Sequence, residues 1–280
     1  MNILVLGSDG QLGSEISKKI KSFKISRKKF KNFDFEKKNN TISILKKFKI
    51  KYLINCVAYT DVNKAEIDKK RCKIINAKNI KYIAEYCKKK NITLIHFSTD
   101  YVYDGKKKIP YSEKSIPKPI NYYGKMKYLG DKYIEKSGCR YFIFRISWIY
   151  NKKFMNNFVS KIKNKILSNE DIRVPSNQIG SPTSVQLIAK CIKSIIELDK
   201  NNSTEYGLYN LCGKNPSSRY LITKYIAKIL KKNNKILPYQ YIQSQNKIKR
   251  PLNSSLDTSK IQKKLKFKLP DWRKDLRENI

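Results

Sequence analysis

The sequence predicts an α/β protein, a doubly wound parallel sheet with a smaller C-terminal α+β region. Three observations carry this. Four short apolar runs, at residues 3–6, 52–57, 93–97 and 141–144, alternate with amphipathic stretches; a glycine-rich loop follows the first run; and the pattern changes after Trp148. Strands covered by helices on both faces of a parallel sheet lose the polar/apolar alternation of a half-exposed strand and read as unbroken apolar runs.

The elements follow in order. Leu12, Ile16, Ile20 and Phe23 recur at helical spacing after the first run, and Ile80, Ile83, Ala84 and Cys87 do so before the third. Beyond Trp148 the chain predicts a helix at 154–167, an irregular Pro/Gly stretch at 175–182, a helix at 184–198, a short strand at 208–212 and further helix from Ser218. No linker separates the two parts. Residues 1–150 are expected to form a nucleotide-binding domain and 151–280 a substrate-binding region interleaved with it.

The 280 residues hold 62 Lys+Arg against 22 Asp+Glu, a net charge of +40. A charge of that size attracts phosphates when it is clustered. Here the lysines are spread along the whole chain beside Ile and Asn, as in Cys87-Lys88-Lys89-Lys90 and Lys231-Lys232-Asn233-Asn234-Lys235, which reads as compositional bias on solvated helix faces. No specific nucleic-acid partner is expected. No run reaches the roughly 18 apolar residues of a membrane span, and Met1 to Leu6 meet Gly7 without a signal-peptide pattern. A cytoplasmic protein is expected, its six scattered cysteines reduced. His96, the sole histidine, lies between Ile95 and Phe97 and reads as a sheet-packing residue rather than a base or metal ligand.

Gly7-Ser8-Asp9-Gly10-Gln11-Leu12-Gly13 joins the first strand to the first helix. Glycines at this spacing allow a tight turn, close approach of backbone N–H groups to a pyrophosphate and close helix-to-strand packing, with the phosphates at the helix N-terminus. That is the fingerprint of a dinucleotide cofactor in a Rossmann fold. Around the second strand the chain reads Phe23-Lys24-Ile25-Ser26-Arg27-Lys28-Lys29, so a basic residue, Arg27, stands where a 2′-phosphate would be met. NADPH is favoured over NADH.

His96-Phe97-Ser98-Thr99-Asp100-Tyr101 leaves the third apolar run, and Tyr123-Gly124-Lys125-Met126-Lys127 opens a later helix. Tyr and Lys four apart share a helix face. A neighbouring ammonium lowers a phenol's pKa toward neutrality and fits the Tyr for acid–base work, while a hydroxyl at the strand end can hold a carbonyl oxygen. Four other Tyr/Lys pairs have this spacing; only Tyr123 and Lys127 follow the Ser98-Thr99 strand end by a loop.

These residues resemble the extended short-chain dehydrogenase/reductases, and most closely the dTDP-4-dehydrorhamnose reductase branch. Along nearly the whole chain the resemblance also rests on Asn55-Cys56-Val57-Ala58-Tyr59-Thr60, Ser98-Thr99-Asp100-Tyr101-Val102-Tyr103-Asp104-Gly105, Phe144-Arg145-Ile146-Ser147-Trp148, Gln178-Ile179-Gly180-Ser181-Pro182-Thr183 and Arg250-Pro251-Leu252. It implies that Tyr123 donates the proton, Lys127 holds the nicotinamide ribose and Thr99 polarises the C4 carbonyl. It further implies cofactor contacts from Gly7, Gly10, Gln11, Leu12, Gly13, Asp34, Phe35, Ala58, Tyr59, Thr60 and Ser98. Thr99, Asp100, Tyr101 and Trp148 would face the sugar. The implied reaction is NADPH-dependent reduction of dTDP-4-dehydro-6-deoxy-L-mannose to dTDP-L-rhamnose, a precursor of cell-surface polysaccharide. Some members bind Mg²⁺ at a homodimer interface through glutamates, and Glu15 matches one such position without a complete ligand set.

The sequence departs from the family at Asp61 and Asn63 and in the short, lysine-rich segment from Phe23 to Phe33. Tyr101 stands where sugar 4,6-dehydratases carry the glutamate needed for elimination, which disfavours dehydration. A reductase of another dTDP-4-keto-6-deoxysugar, whose stereochemistry pocket shape would read, and a non-catalytic regulatory subunit of the same fold are the alternatives. Tyr123 and Lys127 argue against the second.

Overall fold

The computed structural model describes residues 2–30, 33–201 and 205–280. Six strands form one sheet: β1 (Ile3–Leu6), β2 (Phe23–Ile25), β3 (Tyr52–Asn55), β4 (Thr93–Thr99), β5 (Tyr141–Ile146) and β6 (Gly207–Leu211). Their spatial order is β2-β1-β3-β4-β5-β6, and every pairing is parallel.

Register carries the apolar runs into two layers. Val5, Ile54, Ile95 and Phe142 stand side by side across the sheet and pack with Leu12, Ile16, Ile188 and Ile192, which lie on helices Gln11–Lys19 and Val185–Lys200. Their neighbours Leu4, Leu53, Leu94 and Ile143 point the other way, against Ile80, Ile83 and Ile134 on helices Asn79–Lys89 and Tyr122–Ser137. His96 and Ser98 share the parity of Leu94, so both face helix Tyr122–Ser137.

Strand Gly207–Leu211, grouped by the sequence with the second region, instead extends the main sheet beside β5. Helix Val185–Lys200 likewise covers that sheet, with Ser184 as its N-cap. β3 stops at Asn55, short of the expected residue 57, because the Asn55 amide oxygen turns back to accept the Val57 N–H. The helix expected from 154 begins at Phe158, where Asn157 caps it by accepting the Ser160 N–H. The second region keeps its own core of Tyr150, Val159, Ile162, Ile222, Ile226, Trp272 and Leu276, beside a parallel pair formed by Ile172–Pro175 and Ile236–Tyr239. All six cysteines are free. Among the described residues, no helix is long and apolar enough to cross a membrane.

The chain steps outward from β1 to β2 and then returns to the other side of β1 as β3. Where strand order reverses, the connecting loops diverge and leave a crevice at the carboxyl ends of the strands.

Candidate active site

The glycine loop opens that crevice. Gly7 has φ +75°, a left-handed conformation that favours glycine, and its N–H is held by the Ile25 carbonyl at 2.9 Å. A Cβ on Gly13 would collide with the Gly7 carbonyl, so glycine alone lets the helix start this close to the strand. Helix Gln11–Lys19 has no side-chain N-cap bond, and its first-turn N–H groups present a partial positive charge to the crevice. This cradle fits a dinucleotide pyrophosphate. Gln11 also locks the two regions together: its side chain donates to the Ile149 carbonyl and accepts from Asn157, both at 3.2 Å. Leu12 is buried beneath the loop.

Beyond β2, Arg27 lies 3.4 Å from Glu36 and 3.8 Å from Asp34, and Arg71 donates to Glu36 at 2.8 Å. The Asp34 carboxylate caps its own turn by accepting the Glu36 N–H at 2.9 Å. Phe35 is buried, its carbonyl accepting from Asn79. Two guanidiniums, rather than Arg27 alone, thus stand beyond β2, paired with Asp34 and Glu36. Residues 31 and 32 of the lysine-rich segment lie outside the described residues.

Ala58, Tyr59 and Thr60 follow β3. Asn76 pins Tyr59 on both sides, its amide accepting the Tyr59 N–H at 3.0 Å and donating to the Tyr59 carbonyl at 2.9 Å. Asn76 sits in a π-helical turn, Ile74–Lys78, which periodicity analysis does not reveal.

Helix Tyr122–Ser137 starts at Asn121, whose side chain accepts the Gly124 N–H at 2.8 Å. Its first turns bring Tyr123 and Lys127 to the end of β4. Tyr123 is half-buried, its ring edge-on to Tyr101 with centroids 6.0 Å apart, and its phenol meets the Thr99 hydroxyl. Burial pushes the phenol well above its ordinary value. The expected depression by an ammonium is not what this site shows: desolvation of the phenolate is the largest influence and raises the value, and the Thr99 hydroxyl opposes it. Lys127 is buried and pushed down to about 8 by desolvation, and its Nζ donates to the Phe97 carbonyl at 2.6 Å and lies 3.1 Å from His96 Nε2. His96 is the buried sheet residue expected, yet it packs against Lys127 rather than in a purely apolar setting.

Thr99 donates to Asp100 at 3.1 Å. Asp100 is buried, accepts from Ser147 at 3.0 Å, and is pushed up to about 6 by desolvation. Ser98 donates to Asp131 at 2.7 Å, and its backbone lies within the β4–β5 pairing.

Two arginines stand around Tyr101 and Trp148. The Arg219 guanidinium stacks over Trp148 at 4.3 Å and Phe158 at 4.4 Å and donates to Gln178 at 2.9 Å. Arg250 reaches the Tyr101 hydroxyl at 3.4 Å and donates to Asn63 at 2.7 Å, so the departure at Asn63 orients Arg250. Asp61 caps helix Val62–Ala65. Trp148 has φ +40°, and a Cβ on Gly180 would collide with its indole.

Residues 1–280 match the RmlD substrate binding domain family. The chain belongs to that family. It is 32% identical to the dTDP-4-dehydrorhamnose reductase of Aggregatibacter actinomycetemcomitans, over 98% of this chain and 97% of that one, and 29% identical to that of Escherichia coli strain K12, over 97% and 94%. A crystal structure of the dTDP-4-dehydrorhamnose reductase of Bacillus anthracis in complex with NADP superposes with a TM-score of 0.91 at 26% identity, covering 100% of this chain and 99% of that one.

Within this RmlD-family site, motif reading missed Asn76, Arg71 and Arg219. Asparagine carries no motif signal there, and single arginines are indistinguishable among 62 basic residues. Glu15 is paired with Lys18 at 3.3 Å, and no group of three or more His, Cys, Asp or Glu placed to hold a metal occurs among the described residues.

Proposed function

We propose that this RmlD-family protein uses NADPH to reduce the C4 ketone of dTDP-4-dehydro-6-deoxy-L-mannose, giving dTDP-L-rhamnose. The observation that carries the reading is the meeting of the Tyr123 phenol and the Thr99 hydroxyl at the end of β4, with Lys127 one turn along the same helix. A carbonyl oxygen between those two hydroxyls would be polarised by Thr99 and protonated by Tyr123.

The cofactor supplies hydride to C4. Residues 1–150 would hold it: Gly7, Gly10, Gln11, Leu12 and Gly13 at the pyrophosphate, Arg27 with Arg71 at the 2′-phosphate, Asp34 and Phe35 at the adenosine, and Ala58, Tyr59, Thr60, Ser98 and Lys127 along the middle and the nicotinamide ribose. Because burial raises the Tyr123 pKa, the phenol keeps its proton until the ketone oxygen gains negative charge, which suits an acid in the reductive direction. In the resting site the Thr99 hydroxyl donates to Asp100, so to polarise the ketone oxygen it would turn from the carboxylate to the substrate. Residues 151–280, with Thr99, Asp100 and Tyr101, would hold the nucleotide sugar, Trp148 lining the sugar site and Arg219 and Arg250 meeting its diphosphate. A cytoplasmic homodimer, and Mg²⁺ through Glu15 with ligands from a second copy, belong to the same reading.

Purified protein given NADPH and dTDP-4-dehydro-6-deoxy-L-mannose should lose reduced-nicotinamide absorbance, and Tyr123→Phe should slow the loss about 10²–10⁴-fold while still binding NADPH. Binding of NADPH without oxidation would point to another 4-keto sugar or to a regulatory subunit.

A further inference from the structure

The contacts behind Lys127 form a closed chain of hydrogen bonds. Its Nζ lies 3.1 Å from His96 Nε2, and His96 Nδ1 lies 3.2 Å from Asn55 Nδ2. The Asn55 amide is oriented by its other end, because Oδ1 accepts the Val57 N–H at 3.1 Å. Turning that amide over would set two donors face to face at Val57. Asn55 Nδ2 therefore donates to His96 Nδ1. A neutral imidazole carries one ring proton, which must then reside on Nε2 and point at Lys127. An ammonium has three N–H bonds and no lone pair, whereas a free amine can accept. Asn55, His96 and Lys127 are each 1% exposed, so water does not relieve a donor-to-donor contact.

We propose that His96 is a positioning residue that donates its Nε2–H to the Lys127 amine and favours the free-amine form in the cofactor-free protein. The charged and titratable groups around the pair are Tyr123 and Asp131 on the same helix, Cys72 on helix Lys69–Lys73, and Arg145 on β5, 3.7 Å from Asp131. Burial lowers the Lys127 midpoint to about 8, while Asp131 and Cys72 favour the ammonium. Above that midpoint the free amine adds no positive charge beside Tyr123 and leaves the phenol its proton, and below it the ammonium stands there. This catalytic consequence rests on the reductase reading; the His96 tautomer does not.

The sole histidine gives a single imidazole signal, so two-bond ¹H–¹⁵N spectra of the uniformly labelled full-length protein report its tautomer without an assignment variant. Above the Lys127 midpoint of about 8, the expected spectrum has the proton on Nε2 and a bare Nδ1. A titration step seen at the ring near that midpoint should vanish in Lys127→Met. A proton on Nδ1 with Nε2 bare on both sides of the midpoint would overturn the proposal, since Nε2 would then be accepting from a permanent ammonium. A second measurement separates the cases by sign. Removing the donor with His96→Leu should move the Lys127 ionisation in the pH profile of kcat/KM upward, with His96→Gln restoring it, whereas loss of an acceptor would move it downward. The spectra are read whether or not any sugar is reduced, so failure of the tautomer and failure of the reductase reading are distinguishable.

Discussion

The α-carbon of Gly124 stands against the Tyr101 carbonyl oxygen, so close that a Cβ would collide with it. This contact seats the start of helix Tyr122–Ser137 on the turn that leaves β4, and thereby fixes how near Tyr123 comes to Thr99. Gly124→Ala must push the helix away, and overpacking of this kind costs about 1–3 kcal/mol. The melting temperature should fall by several degrees, and kcat should fall further than the lost stability accounts for, because the two hydroxyls separate.

Tyr123→Phe and Thr99→Val remove the two hydroxyls singly. Each should lower kcat by about 10²–10⁴-fold, the usual worth of a positioned acid or polarising donor. NADPH binding, followed by fluorescence, should change little in either.

In the proposed function two arginine pairs serve two ligands. Arg27→Ala should raise the KM for NADPH about tenfold, as the loss of one exposed phosphate contact of about 1.4 kcal/mol implies, and leave that for NADH unchanged. Arg219→Ala, which removes the guanidinium stacked on Trp148, should raise the KM for the nucleotide sugar and spare both cofactors. Steady-state kinetics with each substrate varied in turn separates the two effects.

Asp100 makes stability depend on pH. Its carboxyl is raised from 3.8 to about 6 by burial, so between those values the folded protein holds more protons than the unfolded chain. Stability should fall as pH rises through that window and level off above it, by up to about 3 kcal/mol for a shift of roughly two units. Asp131 and Asp275 are shifted in the same direction. In urea melts on either side of the window, wild type should lose stability relative to Asp100→Asn as pH rises.

Much of this architecture is legible in the sequence because buried parallel strands are short and apolar throughout. Ile3 to Leu6 and the glycines behind it announce the first strand, loop and helix without reference to the rest of the chain. Tyr123 and Lys127 are singled out by their place after β4, not by their spacing, which recurs elsewhere in the chain. Strand Gly207–Leu211 is misplaced because its partner, β5, lies about 60 residues earlier and five residues carry no sign of which sheet they join. Asn76 and Arg219 are silent for a related reason. Their value comes from what the fold sets beside them, the Tyr59 backbone and the Trp148 ring. His96 is legible as buried, but its contact with Lys127 depends on strand parity and helix placement together.

The central claim is hydride delivery to a ketone carbon beside Tyr123. It is tested most directly with NADPH carrying deuterium at the transferable position, dTDP-4-dehydro-6-deoxy-L-mannose as substrate, and NMR of the product. The account predicts dTDP-L-rhamnose with one deuterium, at C4, formed about 10²–10⁴-fold more slowly by Tyr123→Phe. Recovery of unreduced sugar, or of a reduced product without deuterium at C4, would contradict it.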